Sequence, residues 1–303
     1  AASDVYKRQP ISLSRGAFWI ARTYQKIGNN QKADEWYNEA IKYLLKAYDI
    51  DDSNIEVIQR LVSIYMENEN FSDAEFYNEI LLKEFSDDPS GFINASIISL
   101  NNSSPQKAID YLQPNIAKFD DNYSAHYLLG TSYYQIDDLV NSENHFIKAL
   151  SIFPGSRNSK HTLAMIYDQN GSWVKSDSLY RELITTDSTD AQAYNNFAYS
   201  LVERNDNLEL ALEMSIIANR VQPKSAPYLD TLGWIYYKLE QYEKALEYIQ
   251  ESYSLDNTNP VILEHLADIL KATNQISKAN LIYMQAIDIG GDSLLIQQKI
   301  NIE

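Results

Sequence analysis

Small side chains mark a register along this chain of 303 residues. Val62, Ser96, Gly130, Ala164, Ala198, Gly233 and Ala267 are separated by 34, 34, 34, 34, 35 and 34 residues. A second ladder, Ala40, Ala74, Ala108, Ser142, Ser176, Ala211, Ala245 and Ala279, is spaced 34, 34, 34, 34, 35, 34 and 34. The single 35 separates Ala198 from Gly233 in the first ladder and Ser176 from Ala211 in the second, and both intervals span the same turn around Asn205-Asp206-Asn207. Large residues flank the ladders at helical offsets. Leu61, Leu129, Leu163, Phe197, Leu232 and Leu266 stand one before the first ladder, with Ala95 the small member of the series. Tyr65, Tyr133, Tyr167 and Tyr236 stand three after it, with Ser99 in the third repeat. Four after the second ladder come Leu44, Asn78, Leu112, Phe146, Tyr180, Ser215, Ile249 and Tyr283. Offsets of three, four and seven describe one apolar stripe on each of two helices per repeat.

Each repeat is therefore expected to be a helix–turn–helix whose two helices cross closely at the small residues, with the larger ones filling the flanks. One such pair cannot bury its own apolar face, so neighbours must stack and stability becomes a sum of repeat and interface terms. Punctuation agrees. Pro89, Pro105, Pro227 and Pro260 lie at or near helix starts, with Ser104 and Asn259 as N-caps before two of them. Pro154 and Pro223 close second helices. Pro114 falls inside one and should kink or shorten it. In the first repeat the second helix is expected to run long, roughly residues 31–48, because the ladder resumes one heptad late at Ala40. Gly290-Gly291 should end the last repeat, and residues 293–300 read as a closing helix whose Leu294, Leu295 and Ile296 cover it.

The order Leu232-Gly233, Tyr236, Ala245, Ile249 resembles the tetratricopeptide repeat (TPR) consensus, as does Leu129-Gly130, Tyr133, Phe146, Ala149, Pro154. The resemblance covers residues 14–289 and about eight repeats, weakest in the third around Ser96 and Asn115. Tyr228–Trp234 with Glu264–Asp268 is similar to a bacterial TPR subgroup. The resemblance implies an all-α, right-handed α-solenoid, with residues 1–13 outside it and 290–303 as a C-terminal capping helix. It also implies a non-catalytic scaffold that binds a peptide or protein segment in a concave groove lined by first helices. Carried over position by position, the groove surface comprises Tyr127, Thr131, Tyr134, His161, Met165, Asn195, Tyr199, Asp230, Trp234, Tyr237, Glu264 and Asp268. Its middle is aromatic and amide-rich, suited to a peptide main chain. Its acidic C-terminal end would favour a Lys or Arg of the guest. Positions that form a carboxylate clamp elsewhere in the family are Gln59, Ser63, Ile93, Asn94 and Ile97 here, without a Lys pair, so a C-terminal carboxylate is not the expected guest.

Composition narrows the partner. There are 25 basic and 42 acidic residues, a net charge of −17, which argues against nucleic acid, RNA-reading helical repeats included, and against anionic membranes. The expected partner is neutral to basic. No apolar run approaches the ~18 residues that span a bilayer, and the absence of cysteine excludes disulfides and Cys-based zinc or redox sites. His126, His145, His161 and His265 lack metal-ligand spacing, although His126 and His161 fall on adjacent first helices. Neither a nucleophile elbow nor a phosphate loop occurs, so no cofactor and no enzymatic activity are expected. Two other functions stay open: a TPR arm of a larger protein whose catalytic or sensor domain precedes it, and glycan binding on the aromatic surface. Asp4-Val5-Tyr6-Lys7-Arg8-Gln9 resembles a translated transposase adapter end, so the natural N-terminus is expected to be missing. Localisation stays open between a bacterial cell envelope and the cytoplasm.

Overall fold

A computed structural model of the chain describes the backbone of residues 2–300 and the side chains of residues 9–300. The described residues form helices and turns, without a strand. They fall into two compact units, residues 1–156 and 157–303.

Unit one contains four hairpins: α1 (Ala2–Lys26) with α2 (Asn30–Ile50), α3 (Ile55–Glu67) with α4 (Phe71–Glu84), α5 (Ser90–Asn101) with α6 (Pro105–Leu112), and α7 (Tyr123–Gln135) with α8 (Leu139–Ile152). Unit two continues with α9 (Arg157–Gln169) and α10 (Trp173–Thr186), α11 (Ala191–Glu203) and α12 (Leu208–Val221), α13 (Ala226–Lys238) and α14 (Tyr242–Leu255), and α15 (Pro260–Ala272) and α16 (Ile276–Asp288). It ends in a short α17 (Ser293–Lys299). The long second helix expected of the first repeat is α2. Pro114 acts where expected: α6 stops at Leu112 and the chain goes on as a 3-10 segment, Gln113–Phe119. The residues set apart as a tail, 1–13, include the first turns of α1, which is helical from Ala2.

The ladders meet. Val62, Ser96, Ala164, Ala198 and Ala267 are fully buried, as is every member of the second ladder from Ala40 to Ala279. From the second hairpin on, the partners lie twelve residues apart, except in the sixth, where Ala198 and Ala211 are thirteen apart. Ser142 donates to the Gly130 carbonyl at 2.8 Å, and Ser96 to the Ala108 carbonyl at 3.3 Å. A Cβ on Gly233 would sit 3.1 Å from the Ile249 amide nitrogen and 3.2 Å from the Ala245 carbonyl oxygen. Close backbone approach is why only Gly, Ala, Ser or a stray Val occupies these positions. Around each crossing the large residues fill in, with Phe146, Tyr180, Ile249 and Tyr283 almost wholly buried.

The turns between the paired helices share one device. Gly28, Glu69, Ser103, Asp137, Gly171, Asn205, Glu240 and Asn274 all have positive φ. After each of them an amide returns to the helix just ended, as in Asn70 N–H to Tyr65 O at 2.8 Å and Gln241 N–H to Tyr236 O at 2.9 Å. These are Schellman ends, which satisfy carbonyls left over at a helix C-terminus. Only two of the eight are glycines, so six side chains adopt a conformation that L-residues avoid at a cost of about 1 kcal/mol each. The following helix is then capped by Asn70, Asp138 or Asn207, whose side chains accept amide hydrogens.

Two terminal expectations need correction. Ser104 does not cap α6: its hydroxyl bonds the Asn102 carbonyl at 3.2 Å instead, and Pro105 leaves one fewer amide to satisfy. In α17 only Ile296 covers the last repeat. Leu294 is 74% exposed and Leu295 56% exposed, because a helix this short turns only one of three consecutive residues inward.

Candidate functional site

The first helices carry the twelve residues singled out from the sequence, three in unit one and nine in unit two. In unit one, α7 starts at Asn122, whose side chain accepts the Ala125 amide. Tyr127 is half-buried, stacked on Tyr123 at 5.7 Å and edge-on to Phe146 at 5.9 Å. Thr131 is half-buried and donates to the Tyr127 carbonyl. Tyr134 is half-buried as well.

In unit two, His161 is structural. Its Nε2 lies 2.9 Å from Asp190, which caps α11 by accepting the Ala193 amide and also receives two Arg157 hydrogen bonds at 2.7 Å. Burial alone would push the Asp190 carboxyl up; the Arg157 guanidinium, the Ala193 amide and His161 together hold it below the usual carboxylate range. Burial lowers the His161 pKa despite Asp190, and its Nδ1 is buried without a partner. In unit one, the Nδ1 of His126 meets the Nδ1 of His145 at 3.0 Å.

Further along, α11, α13 and α15 bring the aromatic and acidic residues together. Asp230 bonds His265 Nδ1 at 2.9 Å, both groups being buried. Trp234 is 7% exposed. Its ring lies parallel to His265 at 4.0 Å and to Tyr237 at 4.7 Å, and its N–H donates to Glu203 at 2.8 Å. The indole is thus spent on packing between neighbouring first helices and offers no open face to a sugar. Glu264 and Asp268 both hold the Lys299 ammonium at 2.7 Å, and Asp268 also accepts the Tyr283 hydroxyl. Asn195 is buried with its Oδ1 unpartnered, and Met165 is half-buried.

Tyr199 remains outward, 36% exposed. Its phenol pKa is raised by burial and by the carboxylates of Glu203, Asp230 and Glu264. An aromatic ring on a field of carboxylates can accept a guest's cation by ion pairing and by the ring face together. Three participants escaped sequence reasoning. Glu203 stands five after Ala198 and one helical turn beyond Tyr199, on the same face of α11. His265 and Lys299 had a subtler signal. Bonds between successive first helices recur at separations of 31 and 35: Glu203 to Trp234, Asp230 to His265, Asp268 to Lys299 and Glu264 to Lys299. By that register α17 seats where a ninth first helix would.

Comparison with known proteins agrees with this architecture. A tetratricopeptide repeat family description matches residues 122–289, more than half of the chain, and another matches residues 15–43 and 21–54. The chain belongs to the tetratricopeptide repeat family. It is similar to the type IV pilus assembly protein PilF of Pseudomonas aeruginosa, 24% identical over 57% of this chain and 69% of that protein. Among solved structures, TTC0263 of Thermus thermophilus, a thermophilic TPR protein, superposes with a TM-score of 0.53 at 20% identity, over 59% of this chain and 96% of that one. YrrB, described as a TPR protein with an unusual peptide-binding site, superposes at 0.50 with 17% identity, over 61% of this chain and 95% of that one. Proteins of this fold are generally protein-interaction scaffolds and typically non-catalytic. Among the described residues no helix is long and apolar enough to cross a membrane, and no group of three His, Cys, Asp or Glu is placed to hold a metal ion.

Proposed function

We propose that unit two holds a basic segment of a partner polypeptide on the face formed by α11, α13 and α15. Tyr199 is the aromatic contact, and Glu203, Glu264 and Asp268 supply the charge. The observation that carries this reading is Lys299: the face already receives one ammonium, shared by Glu264 and Asp268 at 2.7 Å each. A guest lysine or arginine near Tyr199 would meet the same chemistry, while the overall charge of −17 steers such a guest inward. The peptide-binding site of YrrB lends the reading support by kinship of fold alone.

The test is a fluorescence-anisotropy titration with labelled extended peptides that differ only in charge, Lys/Arg-bearing against Glu-bearing. Basic peptides should bind, weaken as salt is raised, and lose at least about tenfold in affinity, ~1.4 kcal/mol, on Tyr199→Ala, with helix content unchanged. Equal binding of both peptide sets, or indifference to Tyr199→Ala, would remove the proposal.

A further inference from the structure

The family pattern breaks at Asn78 in the second repeat and at Ala95 and Ser99 in the third, and the fold brings these departures into the wall of one cavity. The cavity, about 280 Å³, lies between α4, α5 and α6 in unit one, where Leu82, Ile98 and Tyr111 complete that part of its lining. Its size is close to the ~300 Å³ at which ligand pockets begin.

What the cavity fits can be read from the intact repeats. In three of them the tyrosine three after the small residue stacks on the residue twelve further along the chain. Tyr65 lies on Tyr77 at 5.8 Å and 9°, Tyr133 on His145 at 5.6 Å and 4°, and Tyr236 on Tyr248 at 5.5 Å and 10°. The corresponding pair in the third repeat is Ser99 and Tyr111. Ser99 is too small to reach across, and its hydroxyl is turned to the Ala95 carbonyl at 2.7 Å. Tyr111 is 36% exposed and has no ring against it among the described residues. Asn78, 2% exposed, stands where every other repeat but the sixth, which has Ser215, places Leu, Ile, Phe or Tyr. Its amide can point only one way, because Nδ2 donates to the Gly91 carbonyl at 2.8 Å. Oδ1 is therefore the buried atom without a partner, an acceptor that calls for a donor.

We propose that this cavity binds a phenol-type ring, one face stacked on Tyr111 and its hydroxyl donating to Asn78 Oδ1. The alternatives fit less well. A saturated amine would meet Glu75 at the rim but forfeit the Tyr111 face. A bare hydrocarbon ring would leave Oδ1 unmet, and an anion would face two carboxylates, Glu75 and Glu79, against the single cation Lys107.

The test titrates p-cresol into the full chain and follows amide signals of Asn78, Ala95, Ser99 and Tyr111 by heteronuclear NMR. Saturable shifts confined to these residues are expected, with toluene at least about tenfold weaker for want of the hydroxyl. Ser99→Tyr supplies the ring from the chain itself and should abolish p-cresol binding while raising the melting temperature. Should that variant fold poorly, Ala95→Leu, which restores the residue common at this position, should block binding as well. N-acetyl-tyrosinamide distinguishes the source. Binding as tight as p-cresol marks a partner's tyrosine side chain as the ligand, and its rejection beside retained p-cresol binding marks a free phenol. Absence of saturable shifts, equal affinity for toluene, or undiminished p-cresol binding in both filled variants would overturn the assignment.

Discussion

Replacing Gly233 by leucine tests the packing rule on which the architecture rests. The first added carbon would lie 3.1 Å from the Ile249 nitrogen and 3.2 Å from the Ala245 oxygen. Both distances are tighter than side-chain carbons ordinarily keep from their neighbours, so those neighbours must give by a few tenths of an ångström. Both neighbours are backbone, so neither can swing aside; α14 must move off α13. Leucine then adds three more carbons at a buried crossing, and overpacking of this kind costs about 1–3 kcal/mol. Helix propensity acts the other way, favouring leucine over glycine by up to about 1 kcal/mol. Steric cost should win, leaving a loss of about 1–2 kcal/mol. Gly16 is the internal control, since a Cβ there meets nothing within 4 Å. Propensity alone then decides, and Gly16→Ala should gain up to about 1 kcal/mol. The assay is urea unfolding followed by circular dichroism, with amide exchange on α13 and α14 because a repeat array need not unfold in one step. A Gly233→Leu protein as stable as wild type, its exchange unchanged, would refute the reasoning.

Other outcomes follow from the same contacts. Glu240 carries positive φ at a helix end, so Glu240→Gly should stabilise unit two by about 1 kcal/mol in the same urea assay. Asp190→Ala removes a helix cap and leaves His161 without its buried partner; a loss of about 3 kcal/mol is expected by thermal or urea unfolding. Burial and the neighbouring His126 push the His145 imidazole from 6.5 down to about 4. Above pH 6.5 this ring is neutral whether folded or not. Below it the unfolded chain takes a proton that the fold refuses, so stability should fall between pH 6.5 and about 4, by on the order of 2 kcal/mol. His145→Gln should flatten that part of the pH–stability curve. Lys299→Ala frees Glu264 and Asp268 and should tighten binding of a lysine-bearing peptide several-fold in the anisotropy assay.

Spacing made the fold legible. Both ladders are determined by where backbones touch, and a backbone contact tolerates few side chains; Ala40 through Ala279 therefore read the same in sequence as in space. The helix ends were less visible. A Schellman end is usually announced by glycine, but here Glu69, Ser103, Asp137, Asn205, Glu240 and Asn274 do the work, and these residues also populate helices and loops. For the site, register indicates toward which side a Cβ points but not what covers it. Trp234 and Tyr199 sit at equivalent positions, one after Gly233 and one after Ala198. Trp234 is covered because the next first helix supplies His265, while Tyr199 stays 36% exposed. That difference depends on a neighbour some thirty residues away. The same holds for Glu264 and Asp268: Lys299, which holds both, lies beyond the last repeat, where the 34-residue spacing carries no information.

Amide exchange measured with and without a basic peptide tests the binding face most directly. Protection should appear on α11, α13 and α15, centred on Tyr199, and vanish with Tyr199→Ala. Protection confined to the second helices α12, α14 and α16 would contradict the assignment.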